Sequence, residues 1–439
     1  MSKAFISILG TNDYLESYHY FNDKKLSDTP GKYVQEDLLK YFCKEWEAND
    51  EVRIFLTEDA RNKNWLDNGH IVRTTGKQKE NIGLFNRLGK MNYSFSINDF
   101  SIPDGNSENE LWDIFEIIFN SFKDDDEVII DITHSFRFLP LLLTVMLNYT
   151  RQIKNIKIKG VYYAAFETLG TIQEVSKWSV EKRKVPVFDI TSLIKLQEWT
   201  LATYDFTNNA NIAALKGMVK GEIKTILSNT QTLGQSEILL RKTITYLEKV
   251  SNNIALCRGN EIINFDYAKL LKELKKLRNT DLIIKPIKLL VDVIVKKIED
   301  FRNNDINNGF IAVKWAMEHG LYQQAITMLQ EILVTKILAD LKLDYFSLAN
   351  REIVTSAVKI KSQKIKESKW YGKAAENKLL TRKVLGYYLL DEIKGNFEKL
   401  TKIRNDVNHA GFLKGHKSYD SIVDKLNIII QNISMMLNY

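Results

Sequence analysis

Residues 128–140 read VIIDITHSFRFLP, and this stretch decides the fold of the N-terminal half of the chain. The β-branched run from Val128 to Thr133 predicts a buried strand. The polar residues at its end pass straight into a helical segment, so we expect them beside the free amides of a helix N-terminus. Ligands of open parallel sheets bind beyond the carboxyl ends of the strands, and this turn therefore predicts a ligand site.

Strands and helices alternate on both sides of this stretch. Four more short runs rich in β-branched and aromatic residues predict strands, at Ala4–Leu9, Val52–Thr57, Tyr93–Ile97 and Ile156–Tyr163. Helical spacing separates several of them, for example at Trp112, Ile114, Ile117, Ile118 and Phe122. The alternation predicts a mostly parallel sheet with helices on both faces, which is a Rossmann-like α/β fold.

The second half of the chain is predicted to be all-α. After about Ile190 the strand patterns stop, and Pro186 with the segment VFDIT marks the change. Two apolar stripes with spacings of mostly three and four residues identify helices near the C-terminus: Leu389, Ile393, Phe397, Leu400, Ile403 and Val407, then Ile422, Leu426, Ile429, Ile433 and Met436. We therefore expect two domains, residues 1–190 and 191–439.

Length and composition limit the classes of protein. The 439 residues exceed one ordinary core, and the five prolines leave no proline-rich linker between domains. Neither a signal pattern nor a membrane-spanning apolar run is present, so we expect a cytoplasmic protein without a membrane segment. The only cysteines, Cys43 and Cys257, exclude a cysteine-based zinc site, and the histidines lack metal-ligand spacing, so we expect no metal.

Two loops supply candidate ligand-binding residues. The first strand ends in LGTNDY, with Gly10, Thr11 and Asn12, and the fourth ends in DITHSFRFLP, with Thr133, His134, Ser135 and Arg137. A glycine, hydroxyls, an arginine and helix amides together suit a phosphodiester ligand. The alternative is that Thr133 or Ser135 only caps the helix. Neither a GxGxxG nor a GxxxxGK[ST] motif is present, which argues against a dinucleotide enzyme and a P-loop NTPase.

The C-terminal domain contains one segment suited to RNA chemistry. Arg404, Asn405 and His409 lie in RNDVNH, just before Gly411, which predicts the end of a helix. Histidine exchanges protons near neutral pH, arginine offers a charged fork to phosphate oxygens, and the 2′-hydroxyl of RNA is the nucleophile, so no metal is required. Residues five apart lie about 140° apart around a helix, so two copies across a two-fold axis are needed to enclose one phosphate. The alternative is a structural histidine at a helix end.

A basic cluster precedes this segment. Between Ile353 and Lys383 nine basic residues stand against two acidic ones, with Trp370 and Tyr371 among them. Such a cluster can follow a phosphate backbone and offer aromatic faces to bases. The alternative is a solvated lysine-rich surface.

These motifs together resemble the CARF-HEPN ancillary ribonucleases of type III CRISPR systems. The N-terminal part of the resemblance rests on ILGTNDY, FLTEDARNKNW, DITHSFRFLP and VYYAAFE, and the C-terminal part on R-x4-H with WAMEHGLYQQAITMLQE. It spans most of the chain and is weakest over residues 205–300. Ser135 stands where many relatives have glycine, which leaves the shape of that loop open.

The resemblance implies a homodimer, or a higher oligomer, whose CARF domains bind one cyclic oligoadenylate, most often cyclic tetra-adenylate. The activator would switch on a composite HEPN site that cuts single-stranded RNA without metal and leaves 2′,3′-cyclic phosphate ends, as part of antiviral defence. By position, Arg404 and His409 match the catalytic pair and Asn405 matches the polar residue after the arginine. The ligand loops are matched by Gly10, Thr11, Asn12, Thr133, His134, Ser135 and Arg137.

Two other functions stay open at this point. The main alternative is a cyclic-nucleotide sensor without catalysis that binds RNA or DNA through its basic helical half, although Arg404 and His409 argue against it. A metabolic Rossmann enzyme with a helical oligomerisation domain would need a phosphate-binding glycine motif, which is missing.

Overall fold

The computed structural model describes residues 2–72, 75–133, 139–280, 287–412 and 414–437. The predicted ligand residues His134, Ser135 and Arg137 therefore lie outside the described residues. The chain divides into two compact units, Met1–Lys195 and Leu196–Tyr439, the first α/β and the second helical. Among the helices of the described ranges, none combines the length and apolar character needed to cross a bilayer.

The strands of the described residues all lie in the first unit. In chain order they are β1 (Lys3–Leu9), β2 (Tyr18–Phe21), β3 (Lys24–Lys25), β4 (Glu51–Leu56), β5 (His70–Ile71), β6 (Gln78–Lys79), β7 (Ser96–Ser101), β8 (Glu127–Asp131), β9 (Lys157–Ala164) and β10 (Lys184–Asp189). The helices that begin in this unit are α1 (Val34–Phe42), α2 (Glu58–Ala60), α3 (Leu84–Gly89), α4 (Glu108–Ser121), α5 (Leu139–Lys154), α6 (Ile172–Val175) and α7 (Thr191–Asn209).

The main sheet is mixed, with a parallel centre. Its order is β3-β2-β10-β9-β8-β1-β4-β7, and the five strands from β9 to β7 pair in parallel. β10 is antiparallel to β9, and β3 is antiparallel to β2. The prediction of a mostly parallel sheet is therefore confirmed for the centre. Since the chain winds from β1 toward β7 and then returns to β8, the strands β1 and β8 flank the switch point, where ligands of such sheets bind.

Four of the five predicted strands are confirmed as β1, β4, β8 and β9, with ends shifted by no more than two residues. The predicted strand Tyr93–Ile97 is wrong over most of its length, because β7 begins only at Ser96. Tyr93 and Phe95 instead stack on each other, with ring centroids 4.5 Å apart, and pack against the core before the strand begins. Pro186 lies inside β10 and pairs with β2, a strand that the sequence did not predict.

Helices cover both faces of the sheet because successive residues of β1 point to opposite sides. Phe5 shares one buried cluster with Leu38 of α1, whereas its neighbour Ile6 shares another with Ile114 of α4. The two-sided sandwich predicted for this half is thus confirmed, and the carboxyl edge of its strands remains available for loops.

The second unit continues with α8 (Ala213–Thr230), α9 (Gln235–Ala255), α10 (Gly259–Ile263), α11 (Tyr267–Asn279), α12 (Ile287–Ile298), α13 (Asn307–Glu318), α14 (Tyr322–Asp340), α15 (Leu348–Gln363), α16 (Gly372–Glu376), α17 (Lys378–Leu385), α18 (Leu390–Asn408) and α19 (Tyr419–Leu437). Apart from Leu389, which precedes α18, both predicted apolar stripes lie on helices. Ile393, Phe397, Leu400 and Ile403 of α18 and Leu426, Ile429 and Ile433 of α19 are buried. Truncation of a buried aromatic such as Phe397 to alanine should cost about 3–5 kcal/mol.

Candidate functional site

The loop after β1 holds the predicted residues Gly10, Thr11 and Asn12 at the switch point. Asn64, in the π-helical turn Arg61–Trp65, donates from Nδ2 to the carbonyl oxygens of Gly10 (2.8 Å) and Asn12 (2.9 Å). Asn64 is fully buried, and its Oδ1 accepts a hydrogen bond from the Tyr33 hydroxyl at 3.3 Å. The backbone of the loop is therefore preset, while the side chain of Asn12 stays exposed.

A second network joins β1 and β9 to the end of β8. The amide of Thr133 donates to Oδ1 of Asp131 (3.0 Å), and its Oγ1 accepts from the amide of Ala164 on β9 (2.9 Å). Ser7 of β1 donates to Oδ2 of Asp131 at 2.7 Å. Burial raises the pKa of Asp131 above its usual value. The position of Thr133 is thus determined by three adjacent strands.

A cavity of about 600 Å³ opens in the first unit at these loops. Of the predicted ligand residues, Asn12 and Thr133 line it, whereas Gly10 and Thr11 are not part of its described lining. Other lining side chains are Tyr14, His19, Lys32, Phe166, Thr171 and Glu174. The volume and the mixture of aromatic and polar groups suit a ligand of nucleotide size.

The side chain of Lys32 supplies a positive charge at the cavity, and the sequence alone did not reveal this residue. Its side chain is 9% exposed, and Nζ lies 3.4 Å from Oδ1 of Asp13. Desolvation lowers the pKa of Lys32, although the charge of Asp13 acts in the opposite direction. No local pattern distinguishes Lys32 from a surface lysine, because it reaches the cavity only through the packing of the segment before α1. A partly desolvated ammonium of this kind can bind a phosphate group.

The predicted catalytic residues lie at the end of α18. The helix ends at Asn408, and the amide of the capping residue His409 donates to the carbonyl oxygen of Asn405 at 3.0 Å. The left-handed backbone begins at Ala410 (φ 51°), one residue before the predicted Gly411 (φ 74°). The side chains of Asn405 and His409 are exposed. They can therefore meet a ligand from solution or from another subunit.

Arg404 lies on a different side of α18 and is engaged by α14. Its Nη1 is 3.3 Å from Oε1 of Glu331, whose Oε2 is 2.7 Å from Nη2 of Arg351. Among the described residues, the buried Nε of Arg404 has no hydrogen-bond partner. The sequence predicted Arg404 without its acidic partner, because Glu331 is more than seventy residues away and only helix packing brings the two together.

The basic cluster between Ile353 and Lys383 is partly neutralised. Ion pairs join Lys361 to Asp391 (3.0 Å), Lys373 to Glu376 (2.6 Å) and Arg382 to Glu367 (2.6 Å). The exposed Lys364, Lys366, Lys369 and Lys378 form no ion pair within the part of the chain that the structure describes. A net positive surface therefore remains on this segment.

The comparisons with known proteins concern mainly the first unit. The family described as "CRISPR system endoribonuclease Csx1, CARF domain" matches residues 5–167. A CRISPR-associated protein of Methanocaldococcus jannaschii is 34% identical over 137 residues, which are 30% of this chain and 20% of that protein. The chain thus spans about a fifth of the length of the curated relative that it matches.

A solved structure aligns more widely but loosely. The alignment with Enterococcus italicus Csm6 bound to cyclic hexa-2′-fluoro-hexa-dAMP covers all of this chain and 94% of that chain, with 12% identity and a TM-score of 0.43. This alignment is too loose to assign a fold or a function. The N-terminal match is specific, and it shows that the first unit is similar to the CARF domain of Csx1. The matched range contains both loops of the cavity.

Proposed function

We propose that the chain is a ribonuclease of CRISPR antiviral defence, activated when its first unit binds cyclic oligoadenylate. One combination carries the proposal. Residues that match the Csx1 CARF domain form most of the lining of the switch-point cavity, and the same chain presents Arg404, Asn405 and His409 at the exposed end of a helix in its second unit.

The activator is assigned to the cavity bordered by Asn12 and Thr133. Hydroxyl and amide groups can bind the ribose and base edges, and Lys32 supplies a positive charge for phosphate. A cyclic oligonucleotide is larger than one such cavity, so two copies of the chain share it across a two-fold axis. Cyclic tetra-adenylate is the favoured ring, and Gly10, Thr11, His134, Ser135 and Arg137 are proposed to complete the site.

The cleavage site is assigned to the end of α18. His409 exchanges a proton with the 2′-hydroxyl or the leaving oxygen, and Arg404 stabilises the charge that develops on the phosphorane. Asn405 orients the phosphate. Attack by the 2′-hydroxyl breaks the P–O5′ bond and leaves a 2′,3′-cyclic phosphate, with no metal required. Since Arg404 and His409 occupy different sides of the helix, a homodimer supplies one complete site from two copies.

The test is cleavage of labelled single-stranded RNA by the full chain with cyclic tri-, tetra- and hexa-adenylate, with and without EDTA, together with sedimentation analysis. We expect activator-dependent cleavage that survives EDTA, by a dimer. Cleavage that EDTA abolishes and Mg²⁺ restores, or an active monomer, would contradict the assignment.

A second function is a sensor without catalysis that binds nucleic acid through the basic cluster. The unpaired lysines Lys364, Lys366, Lys369 and Lys378 favour it. Activator-dependent RNA binding without any cleavage would support this function over the first.

A further inference from the structure

The helical unit contains a groove that is explained neither by the R-x4-H segment nor by the basic cluster. It lies between α14, α15 and α18 and has a volume of about 320 Å³. Its polar lining comes from Gln330 of α14, from Thr355, Lys359 and Gln363 of α15, and from Glu398, Thr401 and Lys402 of α18. The volume is near the lower limit for small-ligand sites and is large enough for one nucleotide.

An unpartnered amide lies at this groove. Gln330 is 6% exposed, and its buried Oε1 accepts no hydrogen bond from the residues that the structure describes. A buried acceptor without a partner is unfavourable, so a donor supplied by a ligand in the groove would stabilise this oxygen. Val358 and Phe397, both buried, provide apolar surface beside it. A groove that combines this apolar surface with the side-chain amides of Gln330 and Gln363 suits a flat ligand with a hydrogen-bonding edge.

The charges at the groove favour a phosphate-bearing ligand. Lys359 and Lys402 are exposed lining residues, and neither forms an ion pair among the described residues. Nζ of Lys359 also lies 5.5 Å from the ring centroid of Tyr371. Glu398 is the acidic member of the lining, so the two ammonium groups leave an excess of positive charge. Phosphates on either side of a base would find partners at the two lysines.

The groove is next to the candidate cleavage site. At about 100° per residue, Glu398, Lys402, Asn405 and His409 fall within an arc of roughly 60° on α18. The rise of the helix puts Lys402 and His409 about 10 Å apart along its axis. On α14, Gln330 directly precedes Glu331, the partner of Arg404. One strand of RNA could therefore occupy the groove while its backbone reaches His409.

We infer that this groove is a nucleotide subsite for the single-stranded RNA substrate, adjacent to the scissile phosphate. The inference rests on the proposed RNA cleavage by Arg404 and His409. The amide of Gln330 binds the base edge, Val358 and Phe397 contact the base, and Lys359 and Lys402 bind the flanking phosphates.

The test uses the full chain with saturating cyclic tetra-adenylate. Cleavage gives KM and kcat, and fluorescence anisotropy in a His409→Ala background gives the Kd for labelled oligoadenylate and oligouridylate RNA. We expect Gln330→Leu to raise KM and Kd roughly five- to tenfold for both RNAs, with kcat little changed. Lys359→Ala and Lys402→Ala should weaken the binding of both RNAs to the same extent. Lys224→Ala, an exposed lysine of α8, is the control for removal of a positive charge and should have no effect.

Gln330→Glu keeps the shape of the side chain and is the second variant if Gln330→Leu does not fold. Its carboxylate should repel the RNA backbone and raise Kd for both RNAs. Unchanged Kd and KM in the Gln330 and lysine variants, while His409→Ala abolishes cleavage, would overturn the subsite and leave the proposed function standing. Wild-type protein that cleaves no RNA with any activator would overturn both.

Discussion

Nη1 of Arg404 lies 3.3 Å from Oε1 of Glu331, so a carboxylate of α14 holds the arginine proposed to bind the scissile phosphate. Arg351 contacts the other oxygen of Glu331 at 2.7 Å, which leaves this carboxylate little freedom. Arg404 is thus oriented before any RNA arrives, and a preset donor stabilises developing charge better than a mobile one.

We expect Arg404→Ala to lower kcat about a hundredfold or more, and Arg404→Lys to rescue it poorly because an ammonium cannot form the two parallel hydrogen bonds of a guanidinium. Glu331→Gln should lower kcat less, by roughly tenfold, with KM little changed. Glu376→Gln removes an exposed ion pair with Lys373 and is the matched control. Equal kcat in Glu331→Gln and wild type would show that Glu331 does not position Arg404.

His409→Ala should abolish activated cleavage, by about a hundredfold or more, because the imidazole is proposed to transfer the proton. Binding of cyclic tetra-adenylate, measured by calorimetry, should be unchanged. His416→Ala is the control, since His416 is also exposed and follows the same helix. Wild-type cleavage by His409→Ala would place the chemistry elsewhere in the chain.

Asn12→Ala should move the activation curve to higher cyclic tetra-adenylate without lowering its plateau. The activator shifts an equilibrium between two states only by its differential affinity, so a weaker ligand needs a higher concentration. Thr133→Ala should do the same and also lose stability, because it leaves the amide of Ala164 without its acceptor. Thr133→Ser keeps that acceptor and is the control. Cleavage by these variants that stays below the wild-type plateau even at saturating activator would contradict the division of roles between the two units.

The unpaired lysines of the basic cluster should contribute to RNA affinity through release of counterions. Lys366, Lys369 and Lys378 changed together to Gln should reduce the slope of log Kd against log salt by about 0.7 for each RNA phosphate that the protein no longer neutralises. The control changes Lys361, Lys373 and Arg382, which removes the same charge from residues already paired with carboxylates. Equal slopes in wild type and both variants would reduce the cluster to a solvated surface.

The buried Asp131 should make the first unit less stable as pH rises. Burial raises its folded pKa above 3.8, although hydrogen bonds from Thr133 and Ser7 oppose this. The folded state therefore holds the proton more tightly than the unfolded state, and stability falls from about pH 4 upward until the folded pKa is passed. Asp131→Asn cannot titrate. We expect the free energy of unfolding of wild type minus that of the variant to decrease in urea titrations as the pH rises from about 4. A difference that does not depend on pH would contradict the raised pKa.

The parallel centre of the sheet was predictable because strands buried on both faces consist of continuous apolar and β-branched residues, as in β1 and β8. The edge strands were not. β10 is interrupted by Pro186, and its partner β2 is short. Neither strand therefore has the long apolar run that identifies a strand in the sequence. The aromatic residues Tyr93 and Phe95 were mistaken for a strand because their burial comes from stacking in a loop, and local sequence does not distinguish the two.

The sequence by itself determined the alternation of strands and helices, the change to an all-helical half, and the local motifs that contain Asn12, Thr133, Arg404 and His409. These features depend on neighbours within about one helical turn or one strand, which the periodicity of side chains records. Only the tertiary structure decided which groups meet them: Asn64 under the first loop, Lys32 in the cavity and Glu331 against Arg404. It also decided that the amide of Gln330 is buried. Such partners come from distant segments, because packing of whole strands and helices determines their proximity.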